Sequence, residues 1–171
     1  MEVFDAVRTV LAVRQYQSKP VPPETVRRIL EAGHLTASAS NRQPWQFILV
    51  DDKETISSLA AIATTGPYIS QAPIVIVVAV ENNRFGLSDG SRAIQSMILT
   101  AWSEGVGSNW VGFAGMTQIR PLLNIPDTLD VIAILPMGYP AKKLGYGKKN
   151  RKPLAEVAHH GRFGQPYIGI R

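Results

Sequence analysis

The sequence predicts a central sheet covered by helices, of the α/β or α+β class, in one domain spanning residues 1–171. Three observations point there. The run APIVIVVAV, Ala72 to Val80, is apolar at every position, as expected of a strand buried on both faces. The stretch from Asp89 to about Glu104 repeats apolar residues at helical spacing: Ala93, Ile94, Met97, Ile98, Ala101 and Trp102 form a wide stripe that can lie on such a strand. Helical and strand-like segments also alternate through part of the chain, which is long enough to bury a substantial core.

The elements follow in order. Glu2 to Leu11 reads as a helix with Phe4, Val7, Val10 and Leu11 on one face. KPVPPE breaks it, and Pro23 suits the first turn of a second helix that runs to about Ala37 with Val26, Ile29 and Leu30 inward. WQFILV is a strand, with Trp45 expected in the core where it begins. A short helix is expected over Glu54 to Thr64. Asp89 then opens the long helix, with Ser88 or Asp89 as its cap. SNWVGF is a strand or strand end, Thr117 can cap a short helix to Leu123, and LDVIAILPMGYP begins as a buried strand. The tail from Ala141 reads as an extended arm. It and the N-terminal helices are candidates for packing on another subunit.

Composition narrows the chemistry. There are no cysteines, hence no disulfide, thiolate metal site or thiol nucleophile, which fits a cytoplasmic protein. No stretch reaches the roughly 18 apolar residues of a membrane span. The start, MEVFDAVRTV, lacks the pattern of a secretory leader. The net charge of +5 gathers in Lys142, Lys143, Lys148, Lys149, Arg151 and Lys152. No stacking-aromatic platform or nucleic-acid signature surrounds that run, so a solvated loop or the phosphate of a small cofactor accounts for it better than nucleic acid.

Several catalytic patterns fail on context. GLSDG matches G-x-S-x-G, and Asp127 or Asp130 and His159 or His160 follow in hydrolase order. A nucleophile elbow, however, needs its strand to end at the serine, whereas the polar stretch Glu81 to Phe85 intervenes. Gly105, Gly107 and Gly112 follow a helix and do not fit G-x-G-x-x-G. His34, His159 and His160 lack metal-ligand spacing, and no carboxylate pair stands out for acid–base work. An enzyme of this kind would draw its chemistry from a cofactor.

Ser38-x-x-Asn41-x-Gln43-Pro44-Trp45 followed by a strand resembles the signature of the nitroreductase-like FMN flavoproteins. AVRQYQSKPVPPE, QAPIVIVVAV, SRAIQSMILTAWSEGVGSNWVG, VIAILPMGYPAKK and the closing KKNRKPLAEVAHHGRFG are similar to that family's blocks, in order and over nearly the whole chain. The resemblance implies an α+β fold, an α/β sandwich with a central mixed sheet. It also implies a homodimer with an exchanged C-terminal arm and two FMN sites at the interface, each built from both chains. NAD(P)H reduces the flavin, and a nitroaromatic or quinone-like acceptor reoxidises it in the same cleft by a ping-pong mechanism.

By the same resemblance Arg14, Lys149 and Arg151 lie around the FMN phosphate and ribityl chain. Arginine's planar fork suits a phosphate. Ser38, Asn41 and Gln43 face the flavin of the partner subunit, where amides match the mixed donor and acceptor edge of the ring. Val111 and Gly112 supply a backbone N–H beside flavin N5, and Arg14 or Arg42 a cation near N1. The chain departs from the pattern at Val10, Leu11 and Ala12, where the family often carries Arg-Arg-Ser, with Arg8 as a substitute donor. Two other readings stay open: a protein that stores, senses or degrades flavin without reducing an external substrate, and a basic module for an acidic partner.

Overall fold

The computed structural model describes residues 1–112, 115–142, 144 and 149–167. Among them the elements are α1 (Val3–Thr9), α2 (Pro23–His34), β1 (Trp45–Val50), α3 (Lys53–Ile62), β2 (Ile74–Glu81), α4 (Gly86–Ser103), β3 (Gly107–Ser108), α5 (Ile119–Leu122), β4 (Leu129–Gly138) and α6 (Leu154–Val157). The strands form one sheet in the order β1-β2-β4-β3, and every neighbouring pair is antiparallel. The parallel component of the expected mixed sheet is a bridge between Ala12 and Ser108 at the β3 edge.

The layers follow from β2, where Val75 to Ala79 are fully buried. Val75, Val77 and Ala79 pack with Leu59, Ile69 and Ile119 on one face; Ile74, Ile76 and Val78 pack with Ile29, Ile94 and Met97 on the other. Burying one such aliphatic side chain is worth roughly 1.5–3 kcal/mol, so only helices on both faces satisfy this strand. The result is the expected α/β sandwich, with α3 and α5 on one side and α2 and α4 on the other. A Cβ on Gly90 would stand 2.6 Å from Val80 Cγ1 and 2.7 Å from Ile132 Cδ1, so this glycine lets α4 lie directly on the sheet.

Three local expectations are corrected. The long helix begins at Gly86, because Asn83 Oδ1 accepts the N–H groups of Phe85 and Gly86, each at 2.9 Å. Ser88 and Asp89 therefore sit inside its first turn and do not cap it. The Ser88 hydroxyl donates to the Phe85 carbonyl at 3.0 Å, which also leaves the G-x-S-x-G match without an elbow. Thr117 lies within a 3₁₀ turn whose capping position is Gly115, at φ 99°. Finally, α1 ends at Thr9 and does not reach Leu11, and Phe4 and Val7 on its apolar face are 75% and 45% exposed. Its buried face is Ala6 and Thr9, and Thr9 Oγ1 accepts from Trp102 Nε1 at 2.9 Å. Periodicity locates a helix's apolar stripe without saying what covers it.

Candidate functional site

The segment Val10 to Gln17 runs along one end of the sheet. Val13 N–H donates to Ser108 at 2.8 Å, Gln17 N–H to Tyr139 at 2.8 Å, and Ala141 N–H to Gln15 at 2.9 Å. Val13 and Tyr16 turn inward. The Tyr16 hydroxyl reaches the carbonyls of Val13 at 2.6 Å and Pro136 at 3.0 Å, and burial pushes its phenol above the usual range. Arg14 and Gln15, between Val13 and Tyr16, are exposed. The Arg14 guanidinium stands 5.9 Å from the Tyr68 ring centroid, within cation–π reach, and it lines a recess of about 260 Å³ with Gln15, Lys142 and Leu144.

Lys149 joins this end from far along the chain. Its Nζ donates to the Val7 carbonyl at 2.7 Å, in the last turn of α1, where carbonyls lack helical partners. Desolvation, and then the charge of Arg151, hold the Lys149 ammonium below the ordinary lysine value. Arg151 is exposed and donates to the Asn150 carbonyl at 2.9 Å. Arg8 is paired with Asp5 at 3.0 Å. Of the basic run, Lys143 and Lys148 lie outside the described residues.

Ser38, Asn41 and Gln43 cluster elsewhere, in the loop between α2 and β1. Ser40, Asn41 and Gln43 have φ of 51°, 54° and 51°. A left-handed conformation costs a non-glycine residue roughly 1–2 kcal/mol, asparagine less, so something must hold this loop. Ser38 Oγ accepts the Gln43 N–H at 2.9 Å, and the Gln43 amide donates to the Asn41 carbonyl at 3.2 Å and to Asn41 Oδ1 at 3.3 Å. Fully buried Asp89 accepts the Ala39 N–H at 3.0 Å and pairs with Arg92. The Thr36 hydroxyl bonds that of Ser96 at 2.8 Å, a second tie to α4. Trp45 is buried, as expected.

The cations and the amide loop stand at opposite ends of the molecule. The Pro44 carbonyl is tied to Glu81 at one end of β2, whereas Arg14 follows Val13, tied to Ser108 and hence to Met137 opposite Ile74 at the other end. The six steps from Val80 to Ile74, at roughly 3.3 Å each, span about 20 Å. The thirteen steps of α4 from Asp89 to Trp102, at 1.5 Å each, also span about 20 Å. The loop adjoins the β1 edge and Arg14 the β3 edge, so about 14 Å of sheet width separates them as well. One chain thus carries two separate polar clusters, a cationic one and an amide one.

Val111 and Gly112 lie beside the middle of β4. The N–H of Val111 donates to Ile134 at 2.9 Å, and its carbonyl accepts from Ile134 at 2.9 Å, so Val111 is buried with its N–H already used. That corrects the expectation that either residue offers a donor and leaves Gly112. Gly112 is exposed, has no positive φ, and a Cβ there would come no closer than 3.5 Å to Trp110 Nε1. Among the described residues neither backbone nor packing requires glycine here.

These residues fit a flavin phosphate in donor chemistry: cations gather at one end of the sheet, and an amide edge is held in a conformation the chain does not otherwise favour. The nitroreductase family model matches residues 8–68 and 63–139, a span that includes Arg14, the amide loop and Gly112. The chain belongs to the nitroreductase family. A relative from Methanothermobacter thermautotrophicus, provisionally named an NADH dehydrogenase/NAD(P)H nitroreductase, is 32% identical over 154 residues, covering 85% of this chain and 81% of its own. A solved structure from Bacteroides thetaiotaomicron with the same provisional name superposes with a TM-score of 0.87 at 26% identity, covering 94% of this chain and 98% of that one. An FMN-dependent nitroreductase from Clostridium difficile does so with a TM-score of 0.83 at 26% identity, covering 94% and 99%.

Sequence reasoning about this nitroreductase-family chain missed three contributors. Lys142 was visible only as part of a charged run, yet it lines the Arg14 recess. Tyr68 lies under Arg14, and its hydroxyl accepts from the Asn109 amide at 2.6 Å; no local pattern marks it. Asp89 resembled a helix cap because its true partner is fifty residues away.

Proposed function

We propose that this nitroreductase-family chain is an FMN-dependent oxidoreductase that takes hydride from NAD(P)H and passes it to a small, flat, electron-poor acceptor such as a nitroaromatic or quinone. The observation that carries the reading is the separation of the cationic and amide clusters. A flavin phosphate on the cationic end of one copy needs the amide loop of another to meet the edge of its ring, so the functional unit is a homodimer. Phe4 and Val7 on α1, and Leu154, Val157 and Phe163 on the arm, are exposed apolar groups that such a dimer would cover. A groove of about 790 Å³ along α2 and the β1 edge, lined by Val26, Leu30 and Phe47, would take the partner's exchanged arm.

In this reading Arg14, Lys142, Lys149 and Arg151 hold the phosphate and ribityl chain as charge-assisted donors. Lys149, fixed on the α1 carboxyl end, gives the phosphate a positioned charge, and its lowered proton affinity is restored by an anion beside it. Gly112 keeps the face beside N5 open and offers its N–H. Ser38, Asn41 and Gln43 of the second copy hold the ring edge without adding charge. Bound FMN supplies the centre that accepts and donates hydride, so NAD(P)H and acceptor use one cleft in turn, a ping-pong order.

The experiment is an absorbance spectrum of the purified protein before and after anaerobic NADPH or NADH. Flavin bands that bleach support the proposal. Bands that persist indicate a flavin carrier, and no bands even after added FMN reject it.

A further inference from the structure

Asp89 is a fully buried acid on the first turn of α4, outside every residue set that would touch ligand. One carboxylate oxygen accepts the Ala39 N–H at 3.0 Å; the other pairs with Arg92, which reaches solvent. A buried carboxylate needs such partners to stay charged, and here one of them is the backbone of the amide loop. Ala39 immediately precedes Ser40 and Asn41, both left-handed, and Gln43 returns to Ser38 Oγ. The loop's own bonds close it on itself. Apart from Pro44 at its exit, Asp89 is its polar tie to the body of the protein between Ser38 and Gln43 among the described residues.

We propose that Asp89 is a positioning residue: through the Ala39 N–H it holds Ser38, Asn41 and Gln43 in the strained shape that presents them to the flavin edge of the partner subunit. Part of the loop's ordering cost is then met before ligand arrives, and ligand affinity gains accordingly. The ligand half of this inference rests on the proposed flavin function; the strut itself does not.

Two readouts separate them. In flavin-free protein, amide hydrogen exchange over residues 38–43 is compared between wild type, Asp89→Ala and Asp89→Asn. Exchange is expected to rise about tenfold or more in Asp89→Ala and less in Asp89→Asn, which keeps one oxygen for Ala39. Ala39→Pro removes the donor from the loop side and gives the same rise should Asp89→Ala not fold. Next, FMN affinity and the visible spectrum of bound flavin are measured. Asp89→Ala is expected to weaken binding about tenfold or more and shift the flavin bands, with Asp89→Asn partly restoring both. A Leu59→Ala variant, destabilised in the opposite core layer, should leave both unchanged. Unchanged exchange in both Asp89→Ala and Ala39→Pro overturns the strut. Raised exchange with unaltered affinity and spectrum overturns its ligand role. A wild type that takes up no FMN overturns the proposed function and that role together, while the exchange result still stands.

Discussion

Lys149 Nζ donates to the Val7 carbonyl at 2.7 Å, tying the start of the C-terminal arm to the end of the first helix. The contact bridges most of the chain and places an ammonium beside Arg151 at the cationic end of the sheet. Losing one charge-assisted hydrogen bond costs about 1.5–3 kcal/mol, or roughly ten- to a hundredfold in affinity. Lys149→Met and Arg14→Ala should each raise the FMN dissociation constant by about that factor, measured by fluorescence quenching of free flavin. Arg8→Ala should have a smaller effect, because Arg8 is already paired with Asp5. Nanomolar binding insensitive to both of the first two changes would remove the cationic end from the account.

Gly112→Ala separates a ligand's demand from a fold's. A Cβ there has 3.5 Å of clearance and no unfavourable φ, so thermal stability should stay within about 0.5 kcal/mol, as for an ordinary surface change. Beside a flavin the same methyl group should slow anaerobic reduction by NAD(P)H, followed by stopped-flow absorbance. Equal reduction rates would place the flavin elsewhere.

Gly90→Ala runs the opposite way. Alanine gains about 1 kcal/mol of helix propensity over glycine. Forcing a methyl group to within 2.6 Å of Val80 costs about 1–3 kcal/mol, so overpacking should win and the melting temperature should fall by a few degrees. A stabilised Gly90→Ala would show that α4 can lift from the sheet at no cost.

Acid titration tests the α3 cap. The Thr55 N–H bonded to Asp52 holds that carboxyl below its ordinary value. A depressed folded pKa means the stabilisation is fully present above the unfolded value near 3.9 and is lost as pH falls through the folded one. Asp52→Asn, which keeps a capping oxygen but cannot titrate, should therefore flatten the stability curve below about pH 4, measured by urea unfolding. An unaltered acid limb would contradict the cap's role.

Much of the fold was legible because its signals are local. WQFILV and IVIVVAV are strands by composition, and Pro23 begins α2 where a helix tolerates proline. What escaped is non-local. Asp89 looks like a cap until Ala39 is brought to it, and the stripe on α1 does not say what covers it, while Phe4 is exposed among the described residues. Arg14 and Asn41 were readable as residue types, but their separation across the sheet was not. That separation follows from strand register, which no stretch of sequence states.

The proposed division of the site between two copies is tested most directly by mixing defective variants. Arg14→Ala removes the cationic half and an Asn41→Ala, Gln43→Ala double variant the amide half; each alone should bind FMN poorly. After subunit exchange a mixed dimer has one site with both halves intact, so the mixture should recover tight flavin binding and NAD(P)H-dependent bleaching that neither parent shows. No recovery despite confirmed exchange, or tight binding by a monomer, would contradict a site shared between subunits.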